Sequence, residues 1–220
     1  MKVGETMGII AFEGASAVGK STTCRELERN YGAFIIPEVN VLFERPKKTH
    51  RTWYFEKQVE RWNIAVQKSQ QYELVILDGD IYQPLSYNWC FHFDIFNQPL
   101  SLIENFYKEK IINEEIGFPD QYFYLYTSEE ELRKRKESDG TRKRRNFEKH
   151  LHIAKPFQRY YENLNNVTKG YCKLIGAKNV KTNEMEIMKS LKDLKVNEEM
   201  RFDVSRLDAI TWWLQENRAY

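Results

Sequence analysis

The 220 residues of this chain contain no apolar run of the length that crosses a bilayer, and the N-terminus has no signal-peptide pattern. The expectation is a soluble, cytoplasmic protein with no membrane partner. Cysteine is scarce: Cys24, Cys90 and Cys172 form no C-x-x-C pair and leave an odd count, which argues against a disulfide framework and for reduced thiols. Excess charge is also missing. A net charge of +2 gives no electrostatic reason to expect a nucleic-acid partner. No internal repeat or low-complexity tract interrupts the chain. Histidine is sparse as well, and His150 and His152, at i and i+2, would not share a helix face, so no metal centre is expected from them.

What is present suits a folded enzyme. Apolar residues make up 41% and charged residues 30%, a balance that can bury a core, and the length fits one α/β domain spanning 1–220.

The informative stretch lies near the start. An apolar run, Gly8 to Phe12, leads through Glu13 into Gly14-Ala15-Ser16-Ala17-Val18-Gly19-Lys20-Ser21-Thr22 and then a helical segment. This is G-x-x-x-x-G-K-[ST] in a strand–loop–helix setting. Glycines allow the loop to curl, the curled backbone and helix start turn N–H groups toward an anion, Lys20 can reach the β- and γ-phosphates, and the Ser21 hydroxyl can hold Mg²⁺. The motif predicts a site for ATP or another nucleoside triphosphate.

Further strands are read from apolar runs. Residues 33–36 precede Pro37-Glu38-Val39, residues 73–80 end in Asp78-Gly79-Asp80, residues 121–126 form a fourth strand and 171–175 a fifth. Helical segments between them predict a doubly wound, five-stranded parallel sheet with helices on both faces. Ligands bind such sheets at the C-terminal strand edge. There Glu38 can take a proton from an acceptor hydroxyl, or be an ordinary loop glutamate; Asp78 can hold Mg²⁺, or simply begin an Asp-Gly turn; Asp80 can face the acceptor. Residues 39–49 read as a basic loop. A helix over 50–71 carries Phe55 and Gln58, either as core positions or as a stacking surface and an amide that reads a base edge. The aromatic stretch 82–96 fits neither period. Helices are expected over 98–115, after Ser128, over 146–166, 184–194 and 204–217, with Trp212 and Trp213 packing the last onto the body.

Between 133 and 145 stand eight basic residues and two acidic ones, broken by Ser138-Asp139-Gly140-Thr141. A solvated face or a nucleic-acid patch would look alike, but the break favours a lid over about 133–147 whose arginines Arg142, Arg144 and Arg145 close on the transferred phosphoryl group. Residues 184–220 read as a C-terminal helical extension.

These motifs together resemble the deoxynucleoside kinases and thymidylate kinases. Phe12-Glu13-Gly14 with Gly19-Lys20-Ser21-Thr22 is similar to their opening, and Pro37-Glu38-Val39 to the segment whose glutamate is the catalytic base. Phe55 and Gln58 resemble the pair that stacks on and reads the acceptor base, and 133–151 resembles the arginine lid and following helix. The resemblance implies a P-loop kinase that moves the γ-phosphoryl group to a small acceptor, a nucleoside or nucleotide, with ATP and Mg²⁺. One departure is plain: the family pairs an acid with arginine after the third strand, and here Gly79 follows Asp78. Antibiotic and metabolite phosphotransferases resemble the same loop and carboxylate, and a nucleotide-dependent switch module is an alternative of another class. A homodimer is left open.

Overall fold

The computed structural model describes residues 8–140 and 146–220. Five parallel strands, β1 (Gly8–Gly14), β2 (Phe34–Ile36), β3 (Leu74–Asp78), β4 (Gln121–Tyr126) and β5 (Cys172–Gly176), lie in the order β2-β3-β1-β4-β5. Side chains alternate across the sheet. Ile9 and Ala11 of β1 join Val75, Leu77, Tyr122 and Tyr124 on one face, while Ile10 and Phe12 join Ile76, Phe123 and Leu125 on the other. Both faces are therefore apolar and both are covered, as a parallel sheet requires.

Helix α1 (Lys20–Tyr31) covers the second face, and Gly32, in the left-handed conformation at φ 67°, ends it. The first face is covered by α3 (Trp53–Ser69), which follows the single turn α2 (Val39–Leu42), and by α4 (Gln83–Cys90) and α5 (Leu100–Ile112). Helix α6 (Glu129–Ser138) follows β4, then α7 (Phe147–His152) and α8 (Ala154–Val167) lead to β5. The last segments divide between the faces. Helix α9 (Val180–Leu191) packs Ile187 and Leu191 with Cys24 and Leu27 of α1, whereas α10 (Val204–Glu216) packs Leu207, Ile210 and Leu214 into the opposite core. The fold class is thus the doubly wound α/β sheet that the strand pattern predicts.

Several local expectations change. Residues 39–49 are not all loop, because Glu38 opens the turn α2, its carbonyl accepting from Val41 and Leu42 N–H. The aromatic stretch 82–96 holds α4, with Pro84 in its first turn, where a missing N–H costs nothing; left-handed His92 and Phe93 then turn the chain. The single helix expected over 146–166 is two. A Pro156 ring would clash with the carbonyl of residue 152 in a continuous helix, and the break falls at Ile153, just upstream. Helix α9 starts at Val180, earlier than expected, because Asn179 caps it by accepting from Thr182 N–H at 2.9 Å. Of the two terminal tryptophans only Trp213 packs, its ring 5.0 Å from that of Trp89, while Trp212 is exposed. All three cysteines are free and buried. Among the described residues no helix is long and apolar enough to cross a membrane.

Candidate active site

In strand order β2-β3-β1-β4-β5 the chain leaves β1 toward β2 on one side and β3 toward β4 on the other. The seam between β1 and β3 is therefore the switch point where the connections diverge and a crevice opens. Phe12 pairs with Asp78 across it, so β1 runs on by Glu13 and Gly14 beyond the end of β3, over the turn that starts at Gly79.

The glycine-rich loop takes conformations that its composition explains. Gly14 has φ 144°, and a Cβ there would lie 2.3 Å from the Leu125 carbonyl oxygen; Gly19 has φ 107°. Ala17 is also left-handed, at φ 71°, a strained state for an alanine in a loop of this kind. Lys20 Nζ donates to Gly14 O at 2.8 Å and lies 3.7 Å from Glu13 Oε1. Burial works against the lysine charge, but the acidic groups around it, Glu13 first, then Glu38 and Asp78, together raise its proton affinity.

A cleft of about 810 Å³ runs along this edge. Its walls include all of 13–22, so every expected nucleotide-binding position, Gly14, Ala15, Ser16, Ala17, Val18, Gly19, Lys20, Ser21 and Thr22, reaches it. Glu38 lines the same cleft, which brings the expected base and the expected phosphate lysine into one cavity. Gln83, Tyr87, His150 and Phe157 also line it. Gln83 Oε1 accepts from the Tyr54 hydroxyl at 2.9 Å, which leaves its amide Nε2 as a donor for a ligand. Burial, and then the nearby Lys20, push the His150 imidazole down to about 4, so it is neutral near pH 7.

Gly79 is more than an absent arginine. Its φ is 93°, and a Cβ there would stand 3.2 Å from Glu38 Cγ, so glycine leaves the room that Glu38 occupies. A guanidinium does reach the turn from elsewhere. Arg61 of α3, 1% exposed, donates through Nη2 to the carbonyls of Asp78 and Gly79, each at 2.9 Å, and to Ile36 O at 3.4 Å. It ties the ends of β2 and β3 together.

Three expected acceptor residues do not line the cleft. Asp80 is 1% exposed and takes hydrogen bonds from the hydroxyls of Tyr122 (2.8 Å) and Tyr161 (3.0 Å) and from Tyr82 N–H (2.9 Å). Burial raises its pKa, and the carboxyl faces a tyrosine cluster rather than the cleft. Phe55 is core, its ring against Phe106 at 5.4 Å and Tyr107 at 5.9 Å. Gln58 is wholly buried, with Oε1 accepting from Arg61 Nη1 at 2.7 Å. Bulk and burial win at these α3 positions because the helix covers a sheet face that must be kept dry.

The basic run also divides. Its first half is helix α6, where Arg135 donates to Val18 O (2.9 Å), Ala177 O (2.8 Å), Lys178 O (3.1 Å) and Glu131 (2.8 Å). Arg133 makes a two-pronged pair with Glu148 at 3.0 Å, joining α6 to α7. Both cations tie α6 to its neighbours. Arg142, Arg144 and Arg145 lie outside the described residues.

Of the two expected cation ligands, Ser21 lines the cleft and Asp78 does not; Asp78 is 8% exposed, and its Oδ1 is a buried acceptor with no hydrogen-bond partner, a lone pair of the kind a divalent cation takes. Among the described residues no three or more His, Cys, Asp or Glu side chains group as a metal site.

Residues that the motif reading left without a role are Glu13, Arg61, Gln83, Tyr87, Arg135, His150 and Phe157. The motif contained Glu13, but nothing in the pattern tells that its side chain turns inward.

No protein-family model and no curated protein matches the sequence. Solved structures do. A thymidylate kinase from Candida albicans superposes with a TM-score of 0.58 at 18% identity, over 87% of this chain and 95% of that one. A deoxyadenosine kinase from M. mycoides, holding dCMP and a flexible dCDP as products, gives 0.53 at 20% identity over 84% and 98%. A thymidylate kinase from Ehrlichia chaffeensis gives 0.51 at 18% over 84% and 98%. The chain therefore has the P-loop α/β fold of nucleoside and nucleotide kinases. At such identities the likeness is one of fold.

Proposed function

We propose that the chain is an ATP-dependent phosphotransferase that moves the γ-phosphoryl group to a nucleoside or nucleotide. The observation that carries this is the cleft that holds the phosphate loop with Lys20 together with the Glu38 carboxylate. A nucleotide switch needs the first but has no use for a carboxylate-lined chamber beyond it. The fold neighbours favour a nucleoside or nucleotide over an antibiotic or another metabolite, since the deoxyadenosine kinase from M. mycoides holds deoxynucleotides.

In this reading the loop N–H groups of 14–22 cradle the phosphates and Lys20 neutralises charge on the transferred group. Ser21 and Asp78 would hold Mg²⁺, which supplies charge neutralisation between the phosphates. Glu38 accepts the proton of an acceptor hydroxyl as its oxygen attacks phosphorus. Gln83, Tyr87, His150 and Phe157 form the acceptor wall, with the Gln83 amide donating to a carbonyl or ring nitrogen. Arg142, Arg144 and Arg145 neutralise the phosphoryl group, within a lid over about 133–147 of one kinase domain, and 184–220 is its helical extension.

The test is transfer from labelled ATP to a panel of nucleosides, nucleotides and aminoglycoside-type hydroxyl acceptors. Transfer to a nucleoside or nucleotide, lost in Lys20→Ala, is the expected result. ATP binding with no transfer to any acceptor would move the chain to the switch class, and near-normal turnover of Lys20→Ala would end the kinase reading.

A further inference from the structure

Glu13 is the penultimate residue of β1, in the seam between β1 and β3, and its carboxyl is almost wholly buried. Oε2 accepts the N–H of Asp80 at 3.0 Å, which fastens the turn after β3. Oε1 accepts the N–H of Gly14 at 3.1 Å and lies 3.7 Å from Lys20 Nζ. Lys20 in turn donates to Gly14 O at 2.8 Å. The ammonium that would meet a triphosphate is thus already held, and one of its holders is a buried carboxylate.

Two anions then compete for one cation. A bound triphosphate draws Lys20 toward its oxygens and brings several negative charges to the same cleft wall. Without its countercharge, a carboxylate at this depth is costly to keep ionised. The Asp80 N–H favours the ionised carboxyl whether or not ATP is bound, and the remaining groups that act on Glu13 do not relieve it. They are Glu38 at the β2 end and Asp80 after β3, both acidic, and the phenols of Tyr54, Tyr124 and Tyr161 from α3, β4 and α8. Arg61 is committed to the carbonyls of Asp78 and Gly79.

We propose that Glu13 is a positioning residue for Lys20 that is linked to a proton: ionised, it holds the ammonium ready in the empty cleft, and when ATP binds it releases Lys20 to the phosphates and its carboxylate takes up one proton from solvent. The proton converts a carboxylate to a carboxylic acid, and the carbonyl oxygen of that acid still accepts the Asp80 N–H. The turn after β3 therefore stays fastened through the exchange. Burial, only partly countered by Lys20, pushes the free carboxyl up to about 7, where such a switch is poised at neutral pH. The proposal rests on the reading of the loop as a triphosphate site, though not on transfer to any acceptor.

The measurement is ATP binding by calorimetry in buffers of differing ionisation enthalpy, with Mg²⁺ and without acceptor, for the wild type and Glu13→Gln. Glutamine keeps an oxygen for the Asp80 N–H but cannot titrate, and the ionisation of ATP itself is common to both proteins. At pH 7 the wild type should take up about half a proton more per ATP than the variant. Between about pH 7 and pH 8.5 its ATP affinity should fall about tenfold more than that of the variant. Equal proton uptake in the two proteins would overturn the proposal. Should Glu13→Gln fail to fold, carboxyl-carbon NMR of the wild type decides: the Glu13 resonance should titrate near neutrality and move to higher pH on adding ATP. An ordinary carboxylate titration, or one that ATP leaves in place, would overturn it. A chain that binds no ATP loses both this proposal and the proposed function, whereas ATP binding with proton uptake but no transfer loses only the latter.

Discussion

The Arg135 guanidinium donates to the backbone carbonyl of Val18, 117 residues earlier in the chain, at 2.9 Å, and with its other amino group to Ala177 O at 2.8 Å. One side chain on α6 thus braces the phosphate loop against the loop that follows β5. Arg135→Ala should cost about tenfold in ATP affinity, the order of one charge-assisted hydrogen bond, by letting the loop relax before the ligand arrives. Calorimetry with ATP checks it, and Arg135→Lys should recover little because a lysine cannot reach both carbonyls at once.

Asp80 is the point at which the hydroxyls of Tyr122 and Tyr161 converge from β4 and α8. Asp80→Asn keeps the size but offers only one acceptor oxygen, so one buried phenol loses its partner. The expected cost is about 1–3 kcal/mol of stability by urea denaturation. Nucleotide affinity and acceptor KM, measured on the folded protein, should hardly change. A selective rise in acceptor KM would return Asp80 to the substrate site.

Gly79 has φ 93°, and an added methyl would press on Glu38 Cγ. Gly79→Ala should destabilise the fold by about 1–2 kcal/mol through backbone strain. It should also lower single-turnover transfer by displacing the Glu38 carboxylate, while ATP binding stays close to wild type. Equal transfer rates would mean that Glu38 tolerates displacement.

Much of this architecture can be read before any coordinates. The strand–loop–helix around Lys20 is legible because its glycines, lysine and serine are fixed by phosphate chemistry at a set spacing, and β4 falls on the residues its apolar run marks. What a pattern cannot carry is the direction of a side chain. Phe55 and Gln58 sit on α3 at plausible positions for contact with a ligand, yet both turn into the core, since covering the sheet decides that face of the helix. Asp80 follows an Asp-Gly turn like a site acid, but its partners are tyrosines 42 and 81 residues away. Arg61 supplies a cation that the local sequence lacks, arriving from 17 and 18 residues upstream of the carbonyls it holds. Gln83, Tyr87, His150 and Phe157 come together only when α4, α7 and α8 are packed.

The central claim is that Glu38, in the cleft shared with Lys20, acts on the acceptor rather than on the nucleotide. Glu38→Gln preserves size and hydrogen bonding while removing the proton acceptor. The most direct measurement is single-turnover transfer from ATP to a nucleoside hydroxyl, wild type against Glu38→Gln, with ATP affinity followed alongside. The account predicts a fall of about 10²–10⁴-fold in the transfer rate, the usual contribution of a general base, at nearly constant ATP affinity. Transfer at the wild-type rate would contradict it.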